Sequence, residues 1–372
     1  MERRRLSSLT IEGLTSIRSA TVELGDVNVL VGANGSGKSN FISALEMVGR
    51  IADGRMGLHA LQSGGASNLL YKGPEPSGEV ALKLVFEEVT YEATLTPTKD
   101  DALIFNGEKI AARAEGSASS TNVEVTGGSK ESILFDVGTG NTTASPAMRE
   151  ISEAVLDQLT GCRVFHFNDT GPQAPVKGNG STADNLALHP DAANLAAVLM
   201  RLRDDEPGVY GRILRDIRGI APFLRDFVLV EQNERVRLRW TQQDSENVFP
   251  ASAMSDGTLR FVCLATLLNM PGRPGIIVLD EPELGLHPYA IVQLGEMVRA
   301  AAVDSQIVIA TQSVTLIDQV ALEDLVVVER EAGASTFRRP VAEELRMWLE
   351  EYSLGELWQK NLLGGRPRSE RR

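Results

Sequence analysis

VNVLVGANGSGKSNFISALEMV, Val27 to Val48, is the stretch that decides the fold. Val27 to Val31 read as a buried strand, and Phe41, Ile42, Leu45 and Val48 then recur at helical spacing. Between them Gly32 to Ser39 has the form G-x-x-x-x-G-K-S, a strand-to-helix turn. Glycines at 32, 35 and 37 let the backbone turn its N–H groups inward, and the helix that starts there adds the positive end of its dipole. The result is a cradle for phosphate oxygens, expected to be lined by Asn34, Gly35, Ser36, Gly37, Lys38, Ser39 and Asn40. Lys38 is placed to reach the β and γ phosphates and Ser39 to bind magnesium, which implies a nucleotide but not which reaction.

A second stretch, GIIVLDEPELGLHP from Gly275 to Pro288, gives four apolar residues and then two adjacent acids where a buried parallel strand would leave the sheet. Asp280 is expected to hold magnesium through water, and Glu281 to take a proton from an attacking water. A third, MSDGTLRF from Met254 to Phe261, sets a Ser-Asp-Gly turn ahead of an apolar helix. Ser255 or Asp256 suits the N-cap of that helix.

In this order, GANGSGKS, SDGT and DEP resemble the three motifs of the ABC-type ATPase superfamily. EPELGLHP is similar to the RecF, SMC and OLD-like branch, and FHFND, DNLALHPDAANLAAVL and SLGELWQKNLLGG to the stand-alone bacterial predicted-ATPase group within it. The resemblance implies a two-lobed α/β head, an antiparallel β lobe plus a RecA-like phosphate-loop lobe, with a short helical arm inserted. It places lobe I at 1–170, the arm at 171–249, lobe II at 250–340, and C-terminal helices with a basic tail at 341–372. It also implies ATP and magnesium as ligands. Ser255, Asp256 and Gly257 would form a signature turn that grips nucleotide held by a second copy, so a twofold homodimer would complete both sites. Gln312 stands where many relatives carry a histidine that senses the γ phosphate; glutamine can orient water or phosphate but cannot take up a proton, which implies turnover that is slow or dependent on closure, and a glutamine that only satisfies loop backbone fits the position equally. FHFND stands in place of the usual glutamine loop, and Asn168 and Asp169 are its nearest polar candidates for magnesium or water. Ser16, in a turn of the first strands, and His287, at a helix start, are read as structural at least as readily as functional.

The rest of the chain bounds this reading. A net charge of −13 over 372 residues argues against coating nucleic acid or membrane by bulk attraction. No run approaches the ~18 apolar residues of a membrane span, and the start lacks a secretory pattern, so a cytoplasmic location is expected. Cys162 and Cys263 read as buried thiols, and His59, His166, His189 and His287 are too scattered for structural zinc. Glu79 to Leu95 alternates as strand, with Asn106-Gly107 read as the next hairpin turn and 114–146 as surface hairpins or loose loops. Arg212, Arg215 and Arg218 share a helix face, and Arg235, Arg237 and Arg239 a strand face. Either set could follow a DNA backbone, although interleaved acids suit a solvated face as well. The resulting expectation is an ATP-gated dimer in bacterial DNA repair or anti-phage defence, acting on DNA or on a separately encoded effector or nuclease. The alternatives are a transporter's nucleotide-binding subunit and a nucleotide-bound scaffold with little turnover.

Overall fold

Two sheets with one helix between them position the candidate site. The computed structural model describes residues 5–73, 78–87, 89–113, 120–159 and 161–365. β1 (Leu6–Leu14) and β2 (Ile17–Glu23) pair antiparallel across a turn at Thr15 and Ser16. β3 (Val27–Val31) is buried along its whole length and feeds through the glycine loop into α1 (Lys38–Ala52). Two short helices, α2 (Met56–Gln62) and α3 (Ala66–Leu69), lead back to β4 (Val80–Phe86), β5 (Val89–Pro97), β6 (Leu103–Arg113) and β7 (Ser120–Ser129). These complete an antiparallel sheet of order β2-β1-β4-β5-β6-β7.

Here the structure corrects the sequence reading twice. Asn106-Gly107 is not a hairpin turn: Thr94 pairs with Gly107 and Leu95 with Phe105, so Asn106 is an extra residue bulged out of a continuous β6. The turn between β5 and β6 lies at Thr98 to Ala102, closed by Thr98 N–H to Ala102 O at 2.8 Å. Residues 120–129 form the edge strand β7, which pairs with β6 as the hairpin reading allows, but α4 (Ile133–Gly138) follows where only hairpins or loops were expected. Ser132 caps α4, and the buried Glu108 carboxylate accepts from Ile133 N–H and Tyr91 O–H, fixing the helix to the sheet. Residues 114–119, also part of that reading, lie outside the described residues.

α5 (Pro146–Leu159) returns the chain to β8 (Cys162–Phe165), the edge of the second sheet. β9 (Asn179–Ser181), α6 (Leu195–Asp205), α7 (Pro207–Ile220), β10 (Leu224–Phe227), β11 (Arg235–Arg237), β12 (Arg239–Gln242) and β13 (Val248–Pro250) come next. RVRLRW is thus not one strand: β11 pairs with β9, while β12 pairs with β10 and β13. Leu195, Ile213, Ile217, Leu224 and Trp240 are buried in one core with α8 (Asp256–Asn269). After α8 come β14 (Ile276–Asp280), α9 (Pro288–Ala301), β15 (Gln306–Thr311), α10 (Val314–Ile317), β16 (Leu325–Glu331), β17 (Ala334–Arg338), α11 (Ala342–Leu349) and α12 (Leu354–Gln359).

The second sheet runs β17-β16-β3-β15-β14-β8, parallel from β8 to β16 with an antiparallel edge at β17. Alternation along its strands divides two cores. Val29, Val31, Ile277, Leu279, Ile307 and Ile309 face α6 to α9, whereas Leu30, Val278, Val308 and Ala310 face α1. Phe41, Leu45 and Val48 of α1 share that second core with Leu9, Ile11, Leu82 and Tyr91 of the antiparallel sheet. Both cysteines are buried, and burial pushes each thiol up to about 12, so neither is a thiolate at neutral pH. No helix among the described residues is long and apolar enough to cross a membrane.

Candidate functional site

The loop between β3 and α1 ends in a helix start with no side-chain cap. Gly37 is the N-cap residue, at φ 116°, a left-handed conformation that favours glycine, and no side chain accepts from the first turn of α1. The Lys38 and Ser39 N–H groups of that turn remain available to an anion, while Asn40 N–H donates to Gly37 O at 3.1 Å. The buried Ser36 hydroxyl has no partner atom, a second sign that the loop suits a polar ligand. Lys38 is buried and its Nζ donates to Gly32 O at 2.8 Å and Ala33 O at 3.1 Å, both within the loop. Burial lowers its pKa, and the facing Glu281, Asp280 and Glu283 carboxylates oppose that shift. Ser39 is exposed at the helix start. Asn40 Nδ2 donates to Ser16 Oγ at 2.5 Å, Ser16 bonds to Ser335 Oγ at 2.6 Å, and Ser335 donates to Ser36 O at 2.7 Å. Ser16 and Asn40 therefore brace the loop against the β16–β17 hairpin.

β14 carries Asp280 and Glu281 out of the parallel sheet beside that loop. Glu281 N–H still donates to Ala310 O at 2.9 Å, but its φ is +46°, a left-handed conformation uncommon for a residue with a side chain. Gln312, just past β15, donates from Nε2 to Asn34 Oδ1 at 2.6 Å and to Glu281 Oε1 at 3.0 Å. The structure thus brings Asn34, Lys38, Asp280, Glu281 and Gln312 into one cluster. Asp280 titrates above the ordinary carboxylate range, chiefly from burial and then from the adjacent Glu281 charge.

Glu283 is the site residue that the sequence reading did not single out. It is largely buried, accepts the Thr311 hydroxyl, and its Oε2 has no partner. Burial raises its pKa as well. Among the described residues no group of three or more His, Cys, Asp and Glu side chains is arranged to hold a metal. Magnesium at Ser39 and Asp280 would therefore take phosphate and water oxygens as its remaining ligands, as this hard cation commonly does.

The Ser-Asp-Gly turn lies apart from this cluster. Ser255 caps α8, accepting from Thr258 N–H at 3.2 Å and bonding to the Thr258 hydroxyl at 2.7 Å. Ser255 and Asp256 are exposed, and Asp256 faces Lys177 Nζ at 3.9 Å. Gly257 is required by close approach, because a Cβ there would stand 2.4 Å from Gly285 O. Ser255, Gly257 and Thr258 line an open depression of about 180 Å³ with Leu286 and Tyr289. None of the three turn residues bonds to the phosphate loop. His287 is the N-cap of α9, its Nδ1 accepting from Tyr289 N–H at 3.2 Å.

The segment after β8 is tied to α8. Buried Arg260 of α8 donates to Phe167 O at 3.0 Å and Asn168 O at 3.2 Å, while the Asp169 carboxylate accepts from Gly171 N–H at 3.0 Å. Of the two arginine sets, Arg218 donates to Leu224 O and Arg225 O, and Arg235 and Arg237 bond to Asn179. Arg212 and Arg215 are exposed on α7.

A family described as "AAA domain, putative AbiEii toxin, Type IV TA system" matches residues 27–145 and 165–318. No curated protein matches the chain. Among solved structures, the Smc head bound to the C-winged helix domain of ScpA is similar with a TM-score of 0.54 at 15% identity, over 92% of this chain and 99% of that one. The Smc head with an extended coiled coil bound to the C-terminal domain of ScpA, from Pyrococcus furiosus, is similar with a TM-score of 0.52 at 14% identity, over 93% and 98% of the two chains. At these identities the likeness is one of fold.

Proposed function

The chain belongs to this AAA-domain family, an ABC-type ATPase of the RecF and SMC-like branch, and from that premise we propose a cytoplasmic, homodimeric switch that binds and slowly hydrolyses ATP with magnesium. The observation that carries the reading is the Gln312 amide bridging Asn34 of the phosphate loop and Glu281 of the strand end. A packing-only strand end gains nothing from a left-handed carboxylate aimed at a glycine loop.

When bound, ATP supplies the phosphoanhydride bond that water cleaves, and magnesium the charge that offsets its phosphates. Gly35, Ser36, Gly37, Lys38, Ser39 and Asn40 hold the phosphates through the open start of α1 and the Lys38 ammonium. Ser39 and Asp280 hold the metal, Glu281 accepts a proton from water, and Gln312 orients that water without taking a proton. Ser255 and Asp256, both exposed, and half-buried Gly257 present a second helix start to the nucleotide of a partner copy. The family's description, "putative AbiEii toxin, Type IV TA system", supports the defence role. DNA contact has weaker support, since Arg212 and Arg215 alone of the six arginines named above are exposed without a tether to backbone or Asn179.

One experiment tests the whole reading: the mass of the Glu281→Gln protein with and without ATP and magnesium, beside phosphate release by the unaltered chain. Doubling of mass with ATP, its loss on adding Ser255→Arg, and release that stops with Glu281→Gln are expected. Equal near-zero release by both proteins would leave a nucleotide-held scaffold, and unchanged mass would remove the dimer.

A further inference from the structure

The C-terminal stretch SLGELWQKNLLGG, Ser353 to Gly365, grips both halves of the Gln312 contact from behind. At one end α12 lies against α10, the short helix that begins directly after Gln312 and Ser313. Gly355 N–H donates to Asp318 Oδ1 at 2.7 Å. A Cβ at 355 would stand 2.6 Å from Val314 Cγ1 and 2.7 Å from Val314 O, so the two helices touch through backbone. Leu357 and Leu363 are buried in the same core as Leu316 and Ile317.

At the other end the chain reaches the phosphate loop. Gly365 O accepts from Ala33 N–H at 3.0 Å, one residue before Asn34. Gly365 is held in turn: its N–H donates to Glu329 Oε1 at 2.8 Å, its φ is +85°, and Trp358 fills the space where a side chain would stand. Arg338 Nη2 donates to Leu363 O and its Nε lies 3.5 Å from Glu329 Oε2. Glu329, with only 12% of its side chain exposed, is the hub of this clasp.

We propose that residues 353–365 are a strap that positions the phosphate loop and the Gln312 segment relative to each other, with Glu329 and Gly355 as its two fixed points. Ala33 and Val314 flank Asn34 and Gln312 by one and two residues, and the strap bonds or packs against both. Holding these neighbours fixes the 2.6 Å contact between the two side chains without adding any atom to the site. Glu329, Gly355 and Gly365 are positioning residues, and their effect on turnover rests on the ATPase reading above.

The test begins with exchange, which needs no nucleotide. Glu329→Ala speeds amide hydrogen exchange at Ala33 by about tenfold. Gly355→Ala, at the far end of the strap, does the same in the same direction. Glu329→Gln keeps an oxygen acceptor for Gly365 N–H and returns the Ala33 rate to that of the unaltered chain. In ATP turnover, Glu329→Ala lowers kcat by about tenfold with KM for ATP changed by less than about threefold. In a Gln312→Ala background the same change has no further effect, because both act through one contact. Additive losses, or an unchanged Ala33 amide in both Glu329→Ala and Gly355→Ala, would overturn the strap. If the unaltered chain does not turn over ATP, the ATPase reading fails, and the exchange arm still decides the strap.

Discussion

Two helix starts in this chain are built in opposite ways. α1 opens on Gly37 with no side-chain cap and a buried lysine in its first turn, while α8 opens on Ser255, whose hydroxyl already accepts from Thr258 N–H. An uncapped start leaves its N–H groups unsatisfied until an anion arrives, whereas a capped one is stable alone and has less to give. The difference fits a primary site that must hold phosphate within its own subunit and a secondary surface that must remain soluble until a partner presents one.

The largest effect that could break this contrast is at α1. Lys38→Ala should weaken ATP binding by on the order of a hundredfold, while Ser255→Arg leaves the binding of ATP by the single chain near normal; titration of a fluorescent nucleotide reads both. A comparable loss in Ser255→Arg would mean that the two starts serve one pocket. Mixing the two inactive proteins comes next. The mixed dimer keeps one complete site, so phosphate release should return to a fraction of the unaltered rate, and its absence would argue against sharing between copies.

A smaller effect concerns the carboxylates beside α1. Burial holds the Glu283 pKa above its ordinary value. As pH rises between the unfolded and the raised folded value, the folded chain keeps a proton that the unfolded chain has lost, so stability falls, and the cost persists above the folded value. Glu283→Gln removes that slope and should raise the melting temperature at neutral pH by about 2 °C; a lower melting temperature would show that the ionised form is stabilising. Smallest is the cap itself: Ser255→Ala should cost about 1 kcal/mol in denaturant unfolding. No loss there would show that the Ser255–Thr258 bond adds nothing to the stability of α8, and the contrast with α1 would fall.

What was legible in the sequence follows from the range of the forces involved. The β3, glycine loop and α1 unit is written in local spacing, and so are the apolar run ending at Asp280 and the Ser255 cap. Asn106-Gly107 misled because the pair has the chemistry of a turn, whereas cross-strand register with Thr94 and Leu95 made it a bulge. RVRLRW alternates like one strand, yet its halves join different sheets, which no local pattern records. Glu283 stood in plain view within EPEL, but its burial and its bond from Thr311 depend on strands remote in sequence. Gly364 and Gly365 read only as the end of the C-terminal helical segment, and the hold of Gly365 on Ala33 exists only after the second sheet has formed. The basic tail assigned to the last residues lies outside the described residues from 366 onward.

Arg260 ties two parts of the molecule that lie far apart in sequence. Its guanidinium joins the turn after β8 to the helix that Ser255 begins, so the start of α8 and the end of the outermost parallel strand cannot part without breaking these bonds. The guanidinium makes these two bonds from separate nitrogens, Nε and Nη2, held in one planar fork. Any displacement of that helix start therefore has to carry the β8 edge along with it.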